Sequence, residues 1–171
     1  MIVAFTGYAG AGKSTAAKVL LATGFTHHPF TGPLKSMLMS FGLTYAELWG
    51  DRKDVPCDRL CGQTPRHAMQ ALGIEWGRNL IGESVWLDAW ERALSSFSRP
   101  VVVDDLRFPN EYLTLAKHGA LVVRIDRPGL VRDEHVSESH VDDFGHDIRF
   151  TNDGTQRDLW DAVLEWYRGL P

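Results

Sequence analysis

Near the amino terminus the chain reads GYAGAGKST, residues 7–15. Gly7, Gly12, Lys13 and Ser14 occupy the fixed positions of the spacing GxxxxGK[ST]. Glycines let a backbone curl tightly and turn successive N–H groups inward, which makes a concave nest for anionic oxygens. A helix starting at the end of such a loop adds its positive dipole end. Ala9, Gly10 and Ala11 lie inside the curl and Thr15 just beyond it, so the whole stretch would wrap a chain of phosphates. In this arrangement Lys13 reaches the β- and γ-phosphates, and the Ser14 hydroxyl can hold Mg2+. The flanks fit, because an apolar run at 2–6 has strand character and 14–23 has helix character. The plain alternative is an ordinary glycine-rich turn between strand and helix. The stretch predicts a bound nucleoside triphosphate and leaves open what is done with it.

Three further groups place charge or hydrogen-bonding capacity in a pattern. VVVDD, 101–105, is an apolar strand ending in carboxylates, and one of Asp104 and Asp105 would stand near Mg2+. Capping the following turn is the plainer role for both. In GQTPRHAMQALGIEWGR, Thr64 followed by Pro65 reads as an N-cap with proline at the first helical position. Arg66 and Gln70, four apart, would share a helix face, and Arg78 lies two turns further along roughly the same face. A guanidinium suits a phosphate, and a carboxamide can read the edge of a base. A solvated polar face is an equal alternative. In RIDRPGLVRDEHVSESH, Arg124, Arg127 and Arg132 fall just after a strand, in a polar segment running to about residue 145. Arginines on loops that close over a transferring phosphoryl group neutralise its charge and exclude water. His135 and His140 sit among acids without the regular spacing of metal ligands and read as surface groups.

Further strands that could position these groups are predicted at 25–30, 101–103, 120–125 and 147–151, with helices at 109–118 and 155–168. Leu159, Trp160, Val163, Leu164 and Tyr167 repeat at helical spacing and read as core. Strands alternating with helices predict an α/β fold, a parallel sheet of about five strands covered on both faces. Ligands of such sheets sit beyond the carboxyl ends of the strands, where the glycine loop and the aspartates lie. Residues 31–97 differ: they are helical in pattern, with Met37, Leu38, Phe41, Met69, Leu72, Leu80, Val85, Leu87 and Trp90. A helical insertion there would receive a second substrate or simply support packing.

A length of 171 residues fits one domain, 1–171. Net charge is −4 and the pI about 5.9, so no basic footprint argues for polymeric nucleic acid. No apolar run approaches the roughly 20 residues of a membrane span. The first residues already form the strand that feeds the loop, leaving no signal peptide and predicting a cytoplasmic protein. Cys57 and Cys61, four apart, read as free thiols, since a reducing compartment disfavours a disulfide and a zinc site needs two more ligands.

The series GYAGAGKST, GPLK, WGDRKD, GQTPRHAMQALGIEWGR, DLRFPNE, RIDRP, HVSE and NDGT runs in order through about nine tenths of the chain. It resembles the deoxynucleoside monophosphate kinases encoded by tailed bacteriophages. The phosphate loop is widely shared, but TPR…Q.LG…GR followed by D.RF.NE and H.SE is specific to that group. The resemblance implies a phosphate-loop NTPase three-layer sandwich, with a core at 1–30 and 98–171, a helical monophosphate-binding insertion at 31–97 and a short lid at 127–145. It implies transfer of the γ-phosphoryl of ATP to a dNMP with Mg2+, in the host cytoplasm if phage-encoded. On that pattern Asp105 rather than Asp104 serves the metal together with Ser14. Lys35, Trp49, Lys53, Arg66, Gln70, Arg78, Trp86 and Arg107 would belong to the acceptor site, and Arg127 and Arg132 to the lid. Asn152 and Gly154 would lie against adenine. DDLRF has a leucine where the pattern has valine. Oligomeric state stays open, a homodimer included. The alternatives are a kinase of the same fold acting on dephospho-coenzyme A or gluconate, and a nucleotide-binding module without catalysis. A regulatory GTPase is disfavoured, because no N-K-x-D segment is present.

Overall fold

The computed structural model describes residues 1–130 and 139–170. In chain order the elements are β1 (Ile2–Thr6), α1 (Lys13–Ala22), β2 (Thr26–His27), α2 (Gly32–Ser40) and α3 (Tyr45–Leu48). A 3-10 turn (Asp58–Leu60), α4 (Pro65–Gln70), a π-helix (Ala71–Ile81) and α5 (Val85–Leu94) follow. The chain ends with β3 (Val101–Val103), α6 (Pro109–Lys117), β4 (Leu121–Asp126), β5 (Ile148–Thr151) and α7 (Gln156–Arg168). These elements form two compact units, Met1–Pro29 with Leu94–Pro171, and Phe30–Ala93.

The first unit is built on a five-stranded sheet in the order β2-β3-β1-β4-β5, every pair parallel. Successive residues of a strand point to opposite faces, yet Val3, Ala4 and Phe5 are all fully buried, as are Val102 and Val103. Both faces are therefore covered, which is why these strands read as unbroken apolar runs. On one face α1 and α7 pack through Ala16, Ala17, Leu20, Leu159 and Val163. Thr155 caps α7: its hydroxyl accepts from the Asp158 N–H while its own N–H donates to the Asp158 carboxylate at 2.7 Å.

Two expectations need correction. The strand expected at 25–30 pairs only at Thr26 and His27. The His28 N–H still donates to Val102 O, but Pro29 has no N–H and ends the ladder at this sheet edge. Arg124, grouped with the arginines that follow a strand although the strand expected at 120–125 contains it, lies inside β4, level with Thr6 of β1.

The second unit is helical, with Leu34, Leu38, Leu43, Leu48 and Trp86 at its centre. Thr64 is the N-cap of α4, its hydroxyl accepting from His67 N at 3.1 Å, and Pro65 opens the helix. Beyond Gln70 the backbone changes to i→i+5 bonding, as in Gly82 N–H to Gly77 O at 2.9 Å. The α-helical spacing that put Arg78 on the face of Arg66 and Gln70 does not carry through this wider turn.

Candidate active site

The end of β1 delivers the chain into the glycine loop at Gly7, with φ at +135°. A Cβ there would stand 2.2 Å from Ile125 O, so the approach of the loop to β4 admits only glycine. The Lys13 ammonium is buried and donates to Gly7 O at 2.7 Å and Tyr8 O at 2.8 Å. It thus sits inside the curl, bridging the loop's first two carbonyls. Ser14 is exposed at the start of α1.

Asp104 and Asp105 stand just beyond β3, next to β1 in the sheet. Asp104 Oδ1 lies 2.7 Å from His27 Nε2, at the end of β2. Asp105 is half-buried. The turn that carries Arg107 is fixed by α6 itself: buried Glu111 accepts from the N–H groups of Arg107 at 2.8 Å and Phe108 at 3.1 Å. Thr6 ties the end of β1 to the same turn by donating to Leu106 O at 3.3 Å.

On the other side of the loop Arg124 is a hub. It is buried and donates to Asp126 at 2.8 Å, Val141 O at 2.7 Å and Asp142 at 2.8 Å. Its guanidinium lies 5.4 Å from the ring centroid of Tyr8, whose hydroxyl bonds to Asp142. Burial disfavours the guanidinium's charge, but its hydrogen bonds to Asp126 and Asp142 and their negative charge outweigh that and raise its pKa. Arg127 is exposed. Of the lid expected at 127–145, residues 131–138, Arg132 among them, lie outside the described residues. Asn152 is buried and its Nδ2 donates to Ala11 O at 2.8 Å. Exposed Gly154 faces the α7 cap, where an added Cβ would meet Asp158 at 2.6 Å.

In the second unit two candidates, Lys35 and Trp49, come together. Tyr45 stacks on Trp49 with centroids 5.1 Å apart, and the Lys35 ammonium lies 5.1 Å from the Trp49 ring centroid. Arg66 forks onto Asp54 at 2.5 and 3.0 Å, and its backbone N–H donates to Lys53 O at 2.9 Å. The guanidinium's hydrogen bonds hold the Asp54 carboxyl below the usual range. Gln70 is half-buried at the end of α4, and Arg78 donates to Glu83 O at 3.4 Å. Trp86 is a core residue: its indole N–H donates to Gly73 O at 2.9 Å. Cys57 and Cys61 are free thiols, and no group of three His, Cys, Asp or Glu that could hold a metal occurs among the described residues.

His27 and Asp142 were not singled out from the sequence, and Arg124 was grouped with the loop arginines rather than read as a buried hub. Arg124 offered a signal, a lone cation inside the apolar run LVVRI, since a buried charge needs partners.

No family model matches the chain. A protein of Acanthamoeba polyphaga mimivirus, provisionally named deoxynucleotide monophosphate kinase, is 29% identical over 183 aligned positions, covering 96% of this chain and 94% of the relative. The deoxynucleoside-5'-monophosphate kinase of Escherichia phage T5 is 32% identical over 87 positions, 46% of this chain and 35% of that protein. Among solved structures, shikimate kinase from Aquifex aeolicus superposes with a TM-score of 0.51 at 14% identity, over 99% of this chain and 97% of that one. The fold is that of a phosphate-loop kinase, with the loop at the end of a central parallel strand. With its loop intact and the fold of a phosphate-loop kinase, the chain is similar over nearly its whole length to a viral protein named as a deoxynucleotide monophosphate kinase.

Proposed function

We propose that the chain transfers the γ-phosphoryl group of ATP to a deoxynucleoside monophosphate, giving the diphosphate and ADP. The observation that carries this reading is the formed loop with the Lys13 ammonium inside it, on a chain whose relatives bear that enzyme name. Transfer of this kind needs no covalent nucleophile; positioning and charge neutralisation lower most of the barrier. Loop N–H groups and Lys13 take the β- and γ-phosphates. Arg127 and Arg132 add positive charge where the phosphoryl group passes. Gly154 lies toward the adenine side.

Mg2+ prefers oxygen ligands and commonly takes one or two from protein, the rest from water and phosphate. Exposed Ser14 and the Asp105 carboxylate are a donor set of that kind. Bound there, the ion would offset charge on the phosphate oxygens.

In the helical unit Arg66 is assigned to the acceptor's phosphate, because its planar fork already grips the two oxygens of a carboxylate. Lys35, Lys53 and Arg78 supply further positive charge. Gln70 is assigned to the base edge, and Trp49 to the nucleoside. Trp86 supports the site from the core.

The test is ADP release from ATP with each common dNMP, NMP and a hydroxylated metabolite as acceptor. Deoxynucleoside monophosphates should give the fastest release. Arg66→Ala should raise KM for all of them alike, and Gln70→Ala should change their ranking. Faster release with a non-nucleotide acceptor would refute the reading.

A further inference from the structure

Asn152 was expected against adenine, yet its buried amide is turned to the phosphate loop. Where a loop N–H faces an anion, the carbonyl of the same peptide faces the other way and must find a partner there. Ala11 is 1% exposed, so its carbonyl needs a donor from the protein. Asn152 Nδ2 supplies it at 2.8 Å. The carbonyl of Ala11 and the N–H of Gly12 belong to one planar trans peptide and point to opposite sides. Fixing the carbonyl outward therefore fixes the Gly12 N–H inward.

Asn152 is itself held on the sheet, because its backbone N–H donates to Asp126 O at 2.7 Å and prolongs the β4–β5 ladder. The seat is close-fitting as well. A Cβ on Gly12, where φ is +110°, would stand 2.7 Å from Asn152 Nδ2 and 3.0 Å from Leu159 Cδ2.

We propose that Asn152 is a positioning residue of the phosphate loop, locking the Ala11–Gly12 peptide so that the Gly12 N–H faces the bound phosphates. The proposal rests on the nucleotide-binding reading of the loop. It differs from an adenine contact in what it acts on, the phosphate chain rather than the base. It is independent of which acceptor the enzyme uses.

The experiment measures binding of ATP and of inorganic tripolyphosphate to the full chain by calorimetry, with no acceptor present. Asn152→Ala, checked for folding by circular dichroism, should weaken both ligands by the same factor, on the order of tenfold. Weaker ATP with tripolyphosphate unchanged would overturn the proposal and return Asn152 to the base. Unchanged affinity for both, with only a lower melting temperature, would overturn it in favour of simple packing. Should Asn152→Ala not fold, Asn152→Leu fills a similar volume with neither donor nor charge and is judged by the same outcomes. A wild type that binds neither ligand would remove the reading of the loop and the proposal with it. Failure of the dNMP assignment would leave these binding results standing.

Discussion

Asp104 shares a 2.7 Å hydrogen bond with His27, which commits one of its oxygens to the sheet edge. The resemblance to the phage kinases assigns the metal to its neighbour Asp105. Asp105→Asn should lower turnover by roughly two orders of magnitude or more, as loss of a contact made in the transition state does. Asp104→Asn should chiefly lower the melting temperature, leaving turnover within a few-fold. Steady-state rates across a Mg2+ titration, beside thermal melts of both variants, check this; the reverse order of severity would assign the metal to Asp104. The phosphate loop was legible because its chemistry lies within nine consecutive residues, Gly7 to Thr15. The groups that brace it were not. Asn152 and Ala11 are 141 positions apart, and Arg124 and Asp142 are 18 apart, so no local pattern pairs them.

β1, β3 and β4 could be placed closely because burial on both faces leaves continuous apolar runs. The π-helix could not, because the α-helical period does not describe it. Trp86 lies against this helix so closely that a Cβ on Gly77 would meet its Nε1 at 2.4 Å. Helix propensity alone would make Gly77→Ala stabilising by about 1 kcal/mol. Overpacking a buried site typically costs about 1–3 kcal/mol. With a clash against a buried indole, the second effect should win, and denaturant melts should show a less stable variant. A more stable one would mean that Trp86 yields easily.

At α3 the Glu47 carboxylate accepts from the backbone N–H and the hydroxyl of Thr44, both at 2.7 Å, and from Arg59 at 2.6 Å. These bonds, the backbone one foremost, lower its pKa from 4.5 to about 2. A carboxyl depressed on folding contributes stability above its unfolded pKa and loses it as pH falls toward the folded value. The loss attributable to Glu47 should thus fall between pH 4.5 and about 2. Melts of wild type and Glu47→Gln across that range should converge toward the acid end. Parallel curves would show that the cap does not depend on the charge.

The molecule as a whole comprises a sheet unit and a helical unit, Phe30–Ala93. The sheet unit announces itself in sequence through the loop and the apolar strands. The helical unit does so only through side-chain types, because Lys35, Trp49, Arg66 and Gln70 fit a solvated surface as well as a ligand. No described helix is long and apolar enough to cross a membrane. The net charge of −4 leaves local cations to do the binding of anionic substrates. The proposed reaction is tested most directly by following the phosphoryl group itself. ATP labelled at the γ-phosphate is incubated with the enzyme, Mg2+ and each dNMP, and the products are separated. Label should appear in the β-position of a deoxynucleoside diphosphate, in amounts equal to the ADP formed and only when a dNMP is present. Label recovered solely as inorganic phosphate, or on a non-nucleotide acceptor, would contradict transfer to a dNMP.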